Sequence, residues 1–547
     1  MKSKKVLSLA LTAATAAALL AGCGSSSTDT TATSSAASSA AETSTAAESS
    51  AAASTEAAAD ATSTASDSGE AKTLVIYRAA YNVADPDADE EAKIQDAINE
   101  YLAGKGKNYT VEIHDINNSE YGDKANLAFN SGEVDILWTA NWWQTIGTDD
   151  LYKNKSAYDI TDLLPGTDLY NAIPESYWAG CRYDGKDYYI PVYKEGAEGY
   201  EIKILDSNAD ALGVSTDDIV KDVDAADGML NKLAALEPYM QKAADAGIQY
   251  PFVFASTPMF YRFAMDKYDF FASNMLSMIA VDAEKDEVVN PIQTQDYADF
   301  CKMMGRWGEA GYIDVDAEVG KTVTADVTQS QDWLFNWWTA VPNDKESEGR
   351  DGNQAETFAK LTDNYSTSRS TLGSCFAISA KCDEETAKDC IDFLGLLETD
   401  PELGNLYTYG IEGTDYVLTD GKVDRTQEGT GTLYNHSPWE STSVKAVTLE
   451  VNEPDNKVEM YDTFNNSAKT YPSTGFRFNA DAAGVSDKVT ACIDIFNNYG
   501  MTLELGGYSE DQVDDAIAEY QQELDGAGYQ DILAAAQQQY ADWKAEQ

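Results

Sequence analysis

The chain has 547 residues and a formal net charge of −55, because 93 Asp and Glu residues outnumber 38 Lys and Arg residues. So acidic a protein is repelled by nucleic acid and by anionic lipid, which argues against both as direct partners. The part from Lys72 to Gln547 is long enough for two or three domains of about 100 to 200 residues each.

The N-terminus has the layout of a secretory signal. Lysines at the start precede the apolar run Val6–Leu20, and small residues then lead to Cys23. The run is shorter than the roughly 20 residues that a membrane-spanning helix needs. Leu20-Ala21-Gly22-Cys23 resembles the lipobox of bacterial lipoproteins, which implies a signal peptide over 1–22 and acylation of Cys23. A plain signal peptide with an incidental cysteine is the alternative.

The next segment, 23–71, is predicted to be a disordered tether. After Cys23 it consists mainly of Ser, Thr and Ala, with no aromatic residue and no Val, Ile, Leu or Met. It has nothing to bury that would offset the entropy of ordering it. A flexible coil of this length reaches about 35 to 40 Å, so it can hold a folded module clear of a membrane.

Six cysteines lie in the rest of the chain, and an even number permits disulfides. Buried free thiols are equally compatible, because a chain of this size does not need covalent staples. No Cys-x-x-Cys pair and no complete calcium loop is present, so we predict no metal and no cofactor.

The first elements of the folded part alternate between strands and helices. We predict strands over Leu74–Tyr77, Tyr109–Ile113 and Val134–Trp138, with helices over Ile94–Leu102 and Tyr121–Phe129 between them. Strands separated by helices favour a parallel sheet and an α/β fold.

Downstream, the pattern is mixed. It predicts strands over Tyr188–Val192, Tyr250–Ala255 and Phe376–Ile378, and helices over Met229–Ala246 and Glu384–Leu397. The region Ser509–Trp543 is predicted to form two helices that are broken at Gly526 and Gly528.

Two segments share the spacing Trp-x-x-Asn-Trp-Trp, namely Trp138–Trp143 and Trp333–Trp338. Flat aromatic faces suit sugar rings, and an amide such as Asn141 can both donate to and accept from hydroxyl groups. Burial in a core is the ordinary fate of Trp. Neighbouring side chains of a strand, however, point to opposite faces, so at least one Trp of each adjacent pair should be exposed or line a cleft.

Several stretches resemble the extracellular solute-binding proteins of ABC importers, of the large maltose-binding type. Those stretches are Ser131–Ile136, Tyr189–Tyr193, Ala377–Lys381 and Thr399–Glu402. A subgroup of sugar-importer lipoproteins with an extra C-terminal domain of unknown function is similar at Tyr409–Tyr416, Thr474–Phe478 and Tyr520–Lys544. The chain departs from the family at Glu201-Ile202-Lys203, where Tyr-Asn-Lys is usual.

This resemblance implies an α/β, two-lobe, periplasmic-binding-protein-like fold (type II) with a hinge and a mostly helical C-terminal extension. Lobe 1 would comprise 72–190 plus about 365–410, and lobe 2 would comprise 191–364 plus 411–547. Relatives place ligand contacts after the first strand, where Tyr77 and Tyr81 lie, and Tyr193 lies just beyond the crossover strand. The predicted ligand-binding residues are Trp142, Trp143, Trp337, Trp338, Trp138, Asn141, Tyr81 and Tyr193.

The predicted function is capture of a carbohydrate, an oligosaccharide in the first place, by a monomeric protein tethered through Cys23 outside the cell. The resemblance implies delivery to an ABC permease in the membrane. Two histidines and the absence of hydrolase and phosphate-binding motifs argue against catalysis. An extracellular glycoside hydrolase, working through paired carboxylates, and a surface polysaccharide adhesin are the alternatives.

Overall fold

The structure is a computed structural model. It describes residues 72–81, 86–143, 145–272, 275–323, 327, 330, 332–342, 355–427, 429–431 and 433–546. The predicted signal peptide, the tether and Cys23 lie outside the described residues and stay predictions.

The strands are numbered in chain order. They are β1 Lys72–Ala80, β2 Tyr109–Asn117, β3 Ile136–Thr139, β4 Arg182–Tyr183, β5 Lys186–Asp187, β6 Tyr189–Pro191, β7 Tyr200–Leu205, β8 Tyr250–Val253, β9 Tyr268–Asp269, β10 Ala280–Asp282, β11 Glu287–Val289, β12 Trp333–Thr339, β13 Glu356–Lys360, β14 Tyr365–Ser366, β15 Cys375–Ile378, β16 Val417–Thr419, β17 Lys422–Asp424 and β18 Lys469–Thr470.

The helices are numbered in the same way. They are α1 Ala88–Gly104, α2 Asn118–Ser131, α3 Thr148–Lys153, α4 Asp168–Ala172, α5 Glu175–Cys181, α6 Asp206–Ala211, α7 Thr216–Asp224, α8 Met229–Ala234, α9 Glu237–Ala246, α10 Phe260–Phe263, α11 Gln295–Ala310, α12 Val315–Val319, α13 Glu384–Thr399, α14 Pro401–Tyr409, α15 Pro438–Ser441, α16 Lys457–Ser467, α17 Ser486–Asn498, α18 Gly500–Glu504, α19 Val513–Gly526 and α20 Tyr529–Glu546.

The first lobe is built on a five-stranded sheet with the order β2-β1-β3-β15-β6. β1 is parallel to β2 and β3, as the strand and helix pattern predicts, whereas β15 is antiparallel to β3 and β6. Helix α1 covers the sheet because Ile94, Ile98 and Leu102 recur on one face and are buried. Its start is capped by Asp87, whose carboxylate accepts a hydrogen bond of 2.9 Å from the backbone N–H of Glu90.

The second lobe is built on a four-stranded sheet with the order β13-β7-β12-β8 and a smaller sheet with the order β11-β10-β9. β7 pairs antiparallel with β12 and β13, and β12 runs parallel to β8. The two C-terminal helices, α19 and α20, were predicted correctly, and their buried residues Tyr520, Tyr529 and Ile532 belong to the second core. These two helices are therefore an integral part of this lobe.

Three crossing segments of the described chain join the lobes: 192–199, 361–374 and 462–470. Glu198 and Tyr365 exchange two backbone hydrogen bonds of 2.8 Å, which pairs the first segment with the second. β14 pairs in parallel with β18, which adds the third segment. The Asn465 side chain also accepts a hydrogen bond of 2.7 Å from the backbone N–H of Gly196. These paired segments form the hinge region.

The predicted helix over Met229–Ala246 is wrong as a single element, since the structure has α8 and α9 in its place. Pro238 stands in the first turn of α9. A proline there has no N–H to donate and its ring would clash with the preceding turn of a continuous helix, so the chain ends one helix and starts another.

The predicted lobe division also needs a correction. It assigned 411–547 to the second lobe, but the buried residues Tyr434, Val444 and Tyr461 pack in the core of the first lobe. This stretch returns to the first lobe before the chain crosses for the third time. The other predicted boundaries stay predictions.

The six cysteines of the described residues are all free, and five of them are buried. Disulfides, which the even number permitted, are therefore not used to hold these lobes together. The interior supplies the stability instead, with each lobe closed around its own apolar core.

Candidate functional site

The loop after β3 carries an exposed tryptophan pair. Trp142 is 49 % exposed, and its ring stacks on that of Trp143 with centroids 5.2 Å apart and an interplanar angle of 26°. The indole Nε1 of Trp142 donates a hydrogen bond of 2.8 Å to the Gly373 carbonyl, which fixes the ring against the second crossing segment. An anchored, half-open indole face is a ready platform for an apolar ring surface.

Three further rings complete what we call the first-lobe cluster, which consists of Tyr81, Trp138, Trp142, Trp143 and Trp439. Trp138 is fully buried, and its Nε1 donates a hydrogen bond of 3.0 Å to the hydroxyl of Ser374. Tyr81 lies between Trp138 and Trp439, at centroid distances of 5.8 and 5.3 Å. Trp138 thus supports the cluster from the core and offers no exposed face.

Trp439 was not predicted as a site residue. It lies on the short helix α15, which begins at a Ser437 and Glu440 capping box. The capping pattern Ser-Pro-Trp-Glu is visible in the sequence, but it indicates only a helix start. Contact with Tyr81, more than 350 positions earlier in the chain, requires the fold.

Tyr81 presents a polar group within this aromatic environment. Its hydroxyl is buried and has no hydrogen-bond partner among the described residues. Burial raises the pKa of Tyr81, and the nearby charge of Glu440 adds to the effect. The hydroxyl therefore stays protonated and keeps a donor that no described residue uses.

Asn141 holds the loop to the hinge region. Its side-chain Nδ2 donates a hydrogen bond of 2.7 Å to the Arg369 carbonyl, and its backbone N–H donates one of 2.9 Å to the Leu372 carbonyl. Both acceptors belong to the second crossing segment. The Asn141 side chain was predicted to bind sugar hydroxyls, but its Nδ2 is already hydrogen-bonded to the crossing segment. This bond helps to position Trp142.

A second group of rings lies in the other lobe around a cation. This second-lobe cluster consists of Tyr200, Tyr261, Arg262 and Trp337. The Arg262 guanidinium carbon lies 4.5 Å from the Trp337 ring centroid and 4.3 Å from that of Tyr261. The Trp337 Nε1 donates a hydrogen bond of 3.0 Å to the Phe254 carbonyl, so the ring is anchored at both its polar and its π surface.

Trp338 points to the opposite face of β12. Its ring lies against Lys203, whose Nζ is 3.8 Å from the ring centroid and 2.8 Å from a carboxylate oxygen of Glu356. Trp338 is 37 % exposed. For this pair the prediction that adjacent tryptophans of a strand cannot share one core is confirmed, but the structure does not bring Trp338 to the second-lobe cluster.

Charged and hydroxyl groups connect the two clusters across the hinge. Arg369, whose carbonyl holds Asn141, has its guanidinium 3.5 Å from the carboxylate of Glu198. The same carboxylate accepts a hydrogen bond of 2.6 Å from the hydroxyl of Tyr200. Burial raises the pKa of Tyr200 well above its usual value, so its hydroxyl remains a donor. The clusters are therefore linked through the crossing segments.

The structure does not bring Tyr193 to either cluster. Its ring is buried in the first core, where the hydroxyl donates to the carboxylate of Asp462 and Lys445 Nζ lies 4.0 Å from the ring centroid. A ring so enclosed has no free face for stacking. The structure thus argues against the predicted ligand contact of Tyr193, which instead packs within the hinge region.

Two further observations concern what the described part of the chain contains. No set of three or more His, Cys, Asp and Glu residues within it is arranged to hold a metal ion. None of its helices combines the length and the apolar character that crossing a bilayer requires.

Comparisons with known proteins show similarity in sequence and in fold. Residues 472–545 match a domain of unknown function, DUF3502. The chain is 25% identical over 492 residues to a carbohydrate ABC transporter substrate-binding protein of Streptococcus pneumoniae, which covers 88% of this chain and 92% of the relative.

Among solved structures, the N-glycan transport solute binding protein of Streptococcus pneumoniae superimposes with a TM-score of 0.71 at 23% identity, over 86% of this chain and 98% of that one. The same protein in complex with Man1GlcNAc gives a TM-score of 0.65 at 21% identity, over 86% and 99% of the two chains. These likenesses confirm the predicted two-lobe, type II fold. The resemblance to sugar-importer binding proteins and the extra C-terminal domain of unknown function are confirmed as well.

Proposed function

We propose that this protein is the substrate-binding component of an ABC importer and captures an oligosaccharide between its two lobes. The observation that carries the proposal is the pair of anchored aromatic clusters, one in each lobe, that are linked through the hinge. The name of the curated relative and the glycan complex of the structural neighbour point in the same direction. No step of covalent chemistry is part of this function.

The chemistry of capture follows from the two clusters. A pyranose ring presents an apolar C–H face, which can stack on Trp142 in the first lobe or on Trp337 in the second. Ring hydroxyls can donate to the Glu198 carboxylate, which is partly exposed. A ligand that touches both lobes stabilises the arrangement in which they are close, because it binds that arrangement more tightly.

The location and the anchor belong to the same proposal. An importer subunit that receives sugar outside the cell has to remain near its permease. Acylation of Cys23, followed by the tether 23–71, would keep it there as a monomer on the extracellular face of the membrane. Release of the protein from membranes after replacement of Cys23 by Ser is the corresponding test.

Binding itself is tested with the full-length protein and a panel of mono- and oligosaccharides. A ligand at 100 times its Kd stabilises the folded state by about 2.7 kcal/mol, which is readily visible as a higher melting temperature. We expect an oligosaccharide to raise the melting temperature and to be recovered unchanged after incubation. Release of new reducing ends would indicate a hydrolase, and stabilisation by peptides alone would contradict the proposal.

A further inference from the structure

The C-terminal domain of unknown function reaches both lobes. Its helices α19 and α20 pack in the second core through Tyr520 and Tyr529. Near its start, Arg477 and Asp481 contact the first lobe instead. The domain thus spans the junction at which the lobes would move relative to each other.

Arg477 makes the densest of these contacts. Its guanidinium donates hydrogen bonds of 2.7 Å to the Gly180 carbonyl, 3.0 Å to the Arg182 carbonyl and 2.6 Å to the Ser368 carbonyl. Its Cζ lies 3.9 Å from the ring centroid of Tyr183. One side chain therefore holds two positions of the first lobe and one of the second crossing segment.

Ion pairs with helix α3 of the first lobe add to this contact. The Lys153 Nζ lies 3.0 Å from an Asp481 carboxylate oxygen, and an Arg477 nitrogen lies 3.9 Å from Asp149. Lys153 and Asp481 are 55 % and 43 % exposed, so their charges are accessible to substitution without disturbing a core.

A groove between the two lobes lies beside these contacts. It has a volume of about 860 Å³ and is lined by Tyr152, Tyr158 and Tyr188 of the first lobe and by Phe271 and Phe478 of the second. Since the two walls are separated by this space, the lobes are not held here by a continuous apolar interface. The polar contacts of 477–481 carry the connection.

The same segment is coupled to the aromatic loop of the first lobe. Arg477 bonds to the carbonyl of Ser368, and Asn141, which positions Trp142, bonds to the carbonyl of the next residue, Arg369. The two acceptors belong to successive peptide units that share the Cα of Arg369, so movement of either partner is transmitted to the other through this one residue of the crossing segment.

We propose that residues 477–481 form an interlobe brace, by which the C-terminal domain restricts hinge motion and steadies the loop that carries Trp142. The inference rests on the proposed function and assigns to this domain a regulation of the same site. Arg477 is in these terms a positioning residue, since it acts through Ser368 and Asn141.

The test uses the full-length protein without sugar and measures hydrogen exchange at the Asn141 amide, which donates to the Leu372 carbonyl. Asp481→Lys places two like charges at the brace, and we expect exchange there to rise by up to about fivefold, the scale of an exposed ion pair. The charge swap Lys153→Asp with Asp481→Lys should restore the original rate. Arg477→Met should give the largest increase.

Asp514→Lys is the matched control, because the exposed pair of Lys302 and Asp514, 2.7 Å apart, lies within the second lobe. Unchanged exchange at Asn141 in both Asp481→Lys and Arg477→Met would overturn the brace, as would an equal increase in Asp514→Lys. Because no ligand is present, a rise in exchange supports the brace even if no saccharide binds, and failure of the proposed function is detected separately.

Discussion

The first-lobe cluster holds its rings against one another, whereas the second-lobe cluster arranges them around the Arg262 guanidinium. In the first, the buried ring of Trp138 supports Tyr81 and Trp142, at centroid distances of 5.8 and 6.1 Å. In the second, the cation lies over Trp337 and Tyr261. Rings packed on rings depend on the apolar core of their lobe, whereas rings around a cation depend on one charged side chain.

The largest expected difference lies within the first-lobe cluster, between the buried ring of Trp138 and the half-exposed ring of Trp142. Trp138→Ala removes a fully buried indole and should lower the free energy of unfolding by about 3 to 5 kcal/mol. Trp142→Ala removes a half-exposed indole and should cost less than about 1 kcal/mol. Urea denaturation of the two variants measures both values, and equal losses would show that Trp142 is also a core residue.

The lobes can next be compared through one buried carboxyl group in each. Burial raises the pKa of Glu398 in the first lobe to about 8, and that of Glu504 in the second to about 7, from 4.5. Between about pH 4.5 and these values the folded state binds more protons than the unfolded state, so the free energy of unfolding falls as the pH rises.

Glu398→Gln should remove about 4 kcal/mol of this fall between about pH 5 and about pH 9, and Glu504→Gln about 3 kcal/mol, since one pKa unit corresponds to about 1.4 kcal/mol. The two effects should add, because Glu398 and Glu504 lie on helices that pack in different cores. Unfolding curves across this pH range give the values. If neither variant reduces the fall of the free energy of unfolding with pH, groups other than Glu398 and Glu504 cause that fall.

The next prediction concerns Arg262, the cation of the second-lobe cluster. Arg262→Met keeps an unbranched side chain but removes the charge over Trp337, and it should weaken oligosaccharide binding by roughly tenfold, the scale of one desolvated cation–π contact. Arg306→Met is the control, because that guanidinium pairs with Glu510 on the surface of the same lobe. If calorimetry gives the same oligosaccharide affinity for both variants, Arg262 does not contribute to the binding site.

The smallest effect is expected at Trp338. This ring lies on the face of β12 opposite Trp337 and contacts Lys203. Trp338→Ala should therefore leave the Kd for an oligosaccharide within about twofold of the wild-type value, the range of substitutions outside the hot spots of an interface. A loss as large as that of Trp337→Ala would mean that both faces of β12 meet the ligand.

Elements with a clear hydrophobic period could be predicted from the sequence. The strands and helices of the first sheet, the C-terminal helix pair and the opposite faces of Trp337 and Trp338 follow from spacing alone. Trp142 and Trp143 lie in a loop and stack on each other, so alternation along a strand does not account for them. The break between α8 and α9 was missed, although Pro238 marks it. The helical spacing of apolar residues continues from α8 into α9 and predicts one helix, whereas Pro238 is the only local sign of the break.

The rest of the site could not be found in the same way. Trp439, Arg262 and Arg369 lie far from Trp142 and Trp337 in the sequence, and only long-range packing brings them together. Tyr193 shows the converse. Its position beyond the crossover strand was a correct observation, but the surrounding hinge encloses its ring, which no local pattern reveals.

The most direct test of capture between two lobes is calorimetry of the tightest-binding oligosaccharide with Trp142→Ala and Trp337→Ala. If the sugar bridges both lobes, each variant should bind about 10 to 100 times more weakly than the wild type, as expected for a central aromatic contact, and each should remain folded. Wild-type affinity in either variant would contradict the account, because the ligand would then depend on one lobe alone.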